Sequence, residues 1–305
     1  MTIHRQRCVV VGAGPAGLSA ALWMDKLGVP FVLLEAGAQL GGELARIHLP
    51  IRDLLGVQVG DGRDFLRRVQ EQLAGKRWDL RFGTAARRVD IRNHRLETST
   101  GCFEAEAILL TMGLRRRRLS IPGAEAFLGR GLSYSATTDL EALTGQPTVV
   151  LGGGDGAFEN ALILADHCPR VWIAHRGPQA TARLEFARRA SAHPHITIVP
   201  DAELSRLLPG PGSLSGVELA TPSGVTVIDA SWVVVKIGFD PRTEALVDDD
   251  LQRDAHGYIV VDRRLRTSAD GVFAAGDLCN PHAPSLAAAI GDGAVAAASI
   301  HRYLS

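Results

Sequence analysis

Cys8-Val9-Val10-Val11-Gly12-Ala13-Gly14-Pro15-Ala16-Gly17 reads as a β-strand, a tight turn and the first turn of a helix. The three valines favour extended backbone, and a helical pattern of apolar residues then runs from Leu18 to Leu27. The glycines divide the tasks of a dinucleotide-binding turn. Gly12 permits the turn, Gly14 lets backbone approach a pyrophosphate, and Gly17 lets helix and strand pack closely. The helix start would present unpaired amides and the positive end of its dipole to phosphates. Outward from this unit, a second apolar strand, Phe31 to Leu34, ends at Glu35. That acid falls roughly twenty residues beyond the turn, where a carboxylate accepts hydrogen bonds from a ribose.

The surrounding composition narrows the class. A chain of 305 residues has room for two domains, and 46% hydrophobic against 22% charged residues suits a sizeable core. Lys+Arg and Asp+Glu balance at 33 each, so no basic excess points to nucleic acid or to an anionic membrane. No apolar run reaches the about 20 residues of a membrane span, and nothing resembles a signal peptide, so a cytoplasmic protein is expected. Cys8, Cys102, Cys168 and Cys279 lie far apart and form no C-x-x-C pair. This argues against a disulfide framework or a zinc site and for a reducing compartment.

After Glu35 comes a glycine-rich loop containing Gly41-Gly42-Glu43. A helix is expected over 64–73 and strands over 80–82, 86–91, 95–98 and 106–110, the last closing on Thr111-Met112-Gly113. Leu114 to Gly123, with its run Arg115-Arg116-Arg117-Arg118, reads as a linker: either a solvated hinge or a docking site for an acidic partner or phosphate. Thr148 to Leu151 then enters a second dinucleotide turn, Gly152-Gly153-Gly154-Asp155-Gly156-Ala157, with Ala157 in the close-packing position and a helix expected over 158–166. The next strand, over 170–174, ends in His175-Arg176 instead of an acid. An arginine there suits a ribose 2′-phosphate, so NADPH is expected over NADH. Arg183, Arg188 and Arg189 follow shortly after. Strands are expected over 196–199, 216–220, 224–230 and 232–237, before a second linker at Gly238 to Thr243. A third signal closes the chain. A short strand runs into Gly276-Asp277, whose carboxylate suits the hydroxyls of a polyol such as a flavin's ribityl chain. The last helix, from Ser285 to about Leu304, is rich in alanines, Ala287 among them, which allow backbone to approach a flat ligand.

With these sites in this order, the whole chain resembles the low-molecular-weight thioredoxin reductase family. The resemblance implies an α/β fold of two Rossmann-like domains, with an FAD domain over 1–116 and 239–305 and an inserted NAD(P)H domain over 117–238. It implies FAD and NADPH as cofactors and a homodimer. In this likeness Gly12, Gly14, Pro15, Ala16 and Gly17 belong to the FAD loop, and Glu35 is the adenosine ribose acid. Gly41, Gly42 and Glu43 form the flavin-side loop, Thr111 and Gly113 match the family's A-T-G turn, and Gly276 and Asp277 match the ribityl motif. Gly152, Gly154, Asp155, Ala157 and Glu159 match the NADPH loop, and His175 and Arg176 begin its H-R-R phosphate motif.

The departures bear on function. Thioredoxin reductases carry C-A-T-C at the start of the NADPH domain, whereas the same frame here reads Ser135-Ala136-Thr137-Thr138, followed by Asp139. Ser135 and Thr138 stand where redox cysteines would be, and a hydroxyl cannot cycle to a disulfide. Asp139 matches the acid beside the dithiol and is expected here to cap the helix starting at Leu140. Glu43 replaces a usual glutamine, and a carboxylate close to a flavin disfavours an anionic reduced ring. Gly177 replaces the second arginine of H-R-R, and the next arginine, Arg183, comes late. Catalytic residues stay unassigned, with Asp139 and Glu43 as candidates near the flavin. Cys279 is the one cysteine placed to substitute for a dithiol, and ordinary packing is expected for it. The thioredoxin-reductase-like ferredoxin/flavodoxin–NADP reductases also lack C-x-x-C and carry G-G-G-D-S-A, close to Gly152 to Ala157. Their C-terminal extension lays an aromatic ring over the flavin, whereas Tyr303 is expected within the last helix. The expected function is hydride transfer from NADPH to FAD and on, without an internal dithiol, to an external acceptor such as a small acidic, ferredoxin- or flavodoxin-like electron-transfer protein. The alternatives are direct oxidation or reduction of a small thiol or disulfide, and a non-catalytic FAD protein with a vestigial NADPH site.

Overall fold

The computed structural model describes residues 3–48, 50–246, 251–282 and 284–305. The chain divides into two compact units, one of Met1–Arg115 with Asp240–Ser305 and one of Arg116–Phe239. In chain order the first unit contributes β1 (Ile3–Val11), α1 (Pro15–Leu27), β2 (Val32–Leu34), α2 (Gly62–Leu73), β3 (Asp79–Arg81), β4 (Ala86–Asp90), β5 (Arg95–Thr98) and β6 (Cys102–Leu110). Next come β7 (Leu114–Arg116), β8 (Leu132–Ser133), α3 (Leu140–Leu143), β9 (Thr148–Leu151), α4 (Asp155–Ala165), β10 (Val171–Ala174), α5 (Leu184–Ser191) and β11 (Ile196–Val199). The remaining elements are β12 (Glu203–Pro209), β13 (Leu214–Thr221), β14 (Gly224–Ile228), β15 (Trp232–Val235), β16 (Phe239–Pro241), β17 (Val272–Ala274) and α6 (Leu286–Leu304).

In the first unit, strands run in the order β3-β2-β1-β6-β5-β4, with β17 also on β6. Strands β3, β2, β1, β6 and β17 are parallel, while β5 returns antiparallel on β6. Alternation along the strands separates two cores. Cys8, Val10, Leu33, Leu109 and Phe273 pack toward the helical face, and Val9, Val11, Leu34, Leu110 and Ala274 toward the other. Helices α1 and α6 meet closely because small residues line the contact. A Cβ built on Gly293 would lie 2.2 Å from the Ala16 carbonyl oxygen, and the Ser19 hydroxyl donates to the Ile290 carbonyl at 2.6 Å. Close backbone approach of this kind is what glycine and alanine permit.

Register positions the site. Val11 pairs with Leu34 and with Leu110, and Leu110 pairs with Ala274. The residues that follow, Gly12, Glu35, Thr111 and Gly276-Asp277, therefore emerge together at the carboxyl edge, where open α/β sheets bind ligands.

The second unit repeats the plan with the parallel order β11-β10-β9-β15-β8 and a separate antiparallel ribbon β12-β13-β14. Leu151 pairs with Ala174 and with Val235, so Gly152, His175 and Lys236 share one edge. Val234 pairs with Ser133, which brings the segment after β8 to that same edge. Strand β12 was not expected from the sequence. Its mostly exposed pattern leaves only Leu207 buried and shows no clear alternation, so it depends on pairing with β13.

Candidate functional site: two glycine turns at two sheet edges

In the first turn, Gly12 adopts φ +109°, and a Cβ there would lie 2.5 Å from the Thr111 carbonyl oxygen. A Cβ on Gly17 would lie 1.9 Å from the Gly12 carbonyl oxygen, so helix and strand approach as closely as the sequence suggests. No atom lies within 4 Å of a Cβ built on Gly14, which faces open space. Pro15 is the first residue of α1, whose N-cap, Gly14, has no capping side chain, and Ala16 is buried in the helical core. The Thr111 hydroxyl braces the turn by reaching the Val11 and Gly12 carbonyls at 2.9 and 2.8 Å.

Glu35 holds the turn from the other side. Its Oε2 accepts from Ala13 N at 2.9 Å and its Oε1 from Gly37 N at 2.7 Å. Gly41 N donates to the Ala13 carbonyl at 2.9 Å, and a Cβ on Gly42 would stand 3.3 Å from Gly14 Cα. A cavity of about 950 Å³ opens above, lined by Gly12, Gly14, Pro15, Ala16, Glu35, Gly42, Glu43, Thr111, Gly113, Gly276 and Asp277. Gly17 and Gly41 lie behind this lining as packing residues. Ala287 is exposed on the first turn of α6, and it is Ser285, Leu286 and Ala289 of that region that line the cavity.

Within the cavity Glu43 is paired with a cation, whereas Asp277 has acidic neighbours. Glu43 and Arg46, both lining residues, form an ion pair at 2.5 Å. Burial raises the Asp277 carboxyl above the usual aspartate range, and neighbouring Asp292 and Glu43 push it the same way. Burial likewise raises Asp292, whose Oδ2 accepts from Gly276 N at 3.2 Å. The Cys279 thiol donates to the Gly276 carbonyl at 3.4 Å and is pushed up to about 12, first by burial and then by Asp292 and Asp277. All four cysteines are free. Further lining residues escape the sequence reading. Thr84 to Arg87 come from the β3–β4 turn and the start of β4, and Arg242, Glu244 and Ala245 lie far along the chain. The Arg115–Glu244 ion pair at 3.0 Å and the Arg242 Nε bond to the Leu114 carbonyl at 2.9 Å hold the latter group.

At the second turn, Gly152 has φ +134° and a Cβ there would lie 2.1 Å from the Lys236 carbonyl oxygen. Gly154 is the N-cap of α4, and Ala157 is buried against the sheet. His175 is buried, and its Nδ1 has no partner among the described residues. Arg176 is exposed. Arg183 is engaged with Asp155 through a backbone bond at 2.7 Å and a side-chain bond at 2.6 Å. Burial raises the Glu159 carboxyl, and Lys236 opposes that shift.

The segment Ser135 to Asp139 is a closed set of hydroxyl contacts. Ser135 Oγ lies 3.1 Å from Thr137 Oγ1, and Thr138 N donates to Ser135 Oγ at 3.4 Å. Ala136 N donates to Asn160 Oδ1 at 2.9 Å, which ties the segment to α4. Asp139 does not cap α3 with its side chain, as the sequence had suggested. The Ser133 hydroxyl donates to its Oδ2 at 2.5 Å and so takes up the carboxylate.

Both cradles suit dinucleotides, because each has glycines where any side chain would strike backbone and an uncapped helix start beside them. Among the described residues, no group of three or more His, Cys, Asp or Glu could hold a metal ion. No described helix is long and apolar enough to cross a membrane.

Comparison with known proteins agrees with this geometry. Residues 6–293 match the family described as pyridine nucleotide-disulphide oxidoreductase. The thioredoxin reductase of Mycolicibacterium smegmatis is 33% identical over 315 residues, spanning 100% of this chain and 97% of that protein. The crystal structure of Lactococcus lactis thioredoxin reductase superposes with a TM-score of 0.89 at 28% identity, covering 98% of this chain and 99% of that one. That of T. acidophilum thioredoxin reductase gives 0.88 at 27% identity, with 98% of each chain covered. The chain therefore belongs to the pyridine nucleotide-disulphide oxidoreductase family, as an oxidoreductase and flavoprotein of thioredoxin reductase-like fold that uses FAD and NADPH in two Rossmann-type domains.

Proposed function

We propose that this chain passes electrons from NADPH through FAD to an external acceptor without an internal dithiol, and so is not a thioredoxin reductase. The observation that carries the reading is the segment Ser135 to Thr138, which offers only hydroxyls. The cysteines offer no replacement. Cys8, Cys102 and Cys168 are buried, and Cys279 keeps its proton up to about 12. A thiol that does not ionise near neutral pH is a poor redox nucleophile.

FAD, when bound, would supply the hydride-accepting and electron-transfer chemistry. The protein's part is binding and orientation. The α1 start with Gly12, Gly14, Pro15, Ala16 and Gly17 would hold the FAD pyrophosphate, Glu35 the ribose and Asp277 the ribityl hydroxyls. Gly42, Thr111, Gly113 and Gly276 line the walls with Gly41 packed behind them, and the first turn of α6 around Ala287 would approach the ring. Glu43 is balanced by Arg46, which limits its repulsion of a negatively charged ring. NADPH would lie at the Gly152, Gly154 and Ala157 turn, with Glu159 and His175 beside it and exposed Arg176 available for the 2′-phosphate. Asp139 is committed to Ser133 and is given no proton-transfer role.

The acceptor proposed is a small acidic electron-transfer protein. Arg118, largely exposed and only loosely set against Glu125 at 3.9 Å, supports electrostatic steering of such a partner. A homodimer and a cytoplasmic location complete the proposal. The test is anaerobic mixing of the FAD-loaded protein with NADPH, followed at the flavin absorbance. Prompt bleaching, with no reduction of a thioredoxin disulfide afterwards, is expected. Failure to bleach would reject the reading, and so would rapid thioredoxin reduction.

A further inference from the structure

The second glycine turn carries an acid where a pyrophosphate would approach. Asp155 is the first residue of α4, directly after the uncapped Gly154. A free carboxylate at that point would repel a dinucleotide. Here it is covered, because Arg183 N donates to Oδ1 at 2.7 Å and Arg183 Nε to Oδ2 at 2.6 Å. The arginine is delivered by the loop between β10 and α5, which is fastened across the turn. Thr181 N and Ala182 N both donate to the Gly153 carbonyl, at 2.8 and 2.9 Å. The guanidinium also lies 5.0 Å from the centre of the Phe186 ring. Glu159 follows one helical turn along α4, and Lys236 and Arg183 oppose its charge as well. Asp155 is thus matched by a cation in direct contact, while Arg176 is exposed.

We propose that Arg183 is a positioning residue that admits the nucleotide by neutralising Asp155, and is not a reader of the 2′-phosphate. The inference rests on the proposed NADPH site at this turn. It makes two distinguishing demands. Removing Arg183 must weaken phosphorylated and unphosphorylated nucleotides alike, because the repelled group is the pyrophosphate they share. Removing the charge of Asp155 must then restore binding. Asp155→Asn suits this purpose, because its remaining oxygen can still accept the backbone N–H of residue 183. Both side chains are substantially exposed, at 67% and 40%, so the repulsion acts in a high dielectric and is worth about 10-fold in affinity.

The experiment is equilibrium titration of the FAD-loaded protein with NADP⁺ and NAD⁺, read by calorimetry, for wild type, Arg183→Ala, Asp155→Asn and the double variant. Arg183→Ala is expected to weaken both nucleotides by a similar factor of about 10, and the double variant to return both to near wild type. Weakening of NADP⁺ alone would make Arg183 a 2′-phosphate reader and overturn the inference. A double variant as weak as Arg183→Ala, or an unchanged Arg183→Ala, would also overturn it. Wild-type protein that binds neither nucleotide would remove the functional reading together with this one.

Discussion

Glu35→Gln separates what the carboxylate does for the fold from what it does for the nucleotide. Both of its oxygens accept backbone N–H bonds, from Ala13 at 2.9 Å and from Gly37 at 2.7 Å. A glutamine has one acceptor oxygen, so in either orientation its NH₂ must face one of those N–H groups. One bond to a charged acceptor is lost, and such bonds are worth about 1.5–3 kcal/mol where shielded from water. The Gly37 bond is exposed, and the glutamine will orient to sacrifice it, so the protein without FAD loses about 1 kcal/mol. That corresponds to a fall of about 2–4 °C in melting temperature. In the proposed FAD site the lost carboxylate would also accept from the ribose, and the dissociation constant is expected to rise about 10-fold to 100-fold. Differential scanning fluorimetry of the apoprotein and fluorescence titration with FAD measure the two effects separately. An apoprotein melting temperature equal to wild type would show that Glu35 does not brace the turn. An unchanged FAD affinity would refute its placement at the ribose.

Gly17→Ala places a methyl group 1.9 Å from a backbone carbonyl oxygen, and neither the helix nor the turn can yield without moving the other. A destabilisation of about 3 kcal/mol and loss of copurifying FAD are expected, checked by denaturant titration and by absorbance. Asp277→Asn should make the apoprotein more stable above the raised pKa of Asp277 while weakening FAD binding. The folded-state pKa of Asp277 is raised, so its charged form is disfavoured by folding once pH exceeds that raised value. The gain is therefore full above the raised pKa and disappears as pH falls through it toward the ordinary aspartate value, which melting curves across pH would show. Cys279→Ser should leave the rate of flavin reduction by NADPH unchanged, because a thiol held near 12 takes no part in electron transfer. A lower rate in stopped-flow would contradict that.

The glycine turns were legible because their constraint is local. Gly12, Gly17 and Gly152 are dictated by backbone atoms a few residues away or at the end of a neighbouring strand, and the sequence pattern carries that demand. Gly276-Asp277 was legible as a strand-end acid suited to polyol hydroxyls, but its place beside the first turn came only through family resemblance. What brings it to the cavity is the pairing of β17 with β6, between segments more than 150 residues apart that show no local sign of each other. Arg242, Glu244 and Ala245 were missed for the same reason. Asp139 illustrates a competition that sequence does not resolve, since the cap position and the Ser133 hydroxyl both suit the carboxylate and the hydroxyl takes it. Asp155 and Arg183 were each noticed, but their pairing depends on how the loop after β10 folds back over Gly153. The Glu43–Arg46 pair, with i,i+3 spacing, could have been read from the sequence alone.

The central claim is that reducing equivalents go from NADPH to the flavin and stop there until an external acceptor arrives. Anaerobic titration of the FAD-loaded protein with dithionite, followed to full bleaching and then assayed for protein thiols, tests it most directly. Without an internal disulfide the protein should take up about two electrons per flavin and gain no thiol. Uptake of about four electrons per flavin, with two new thiols, would contradict the account.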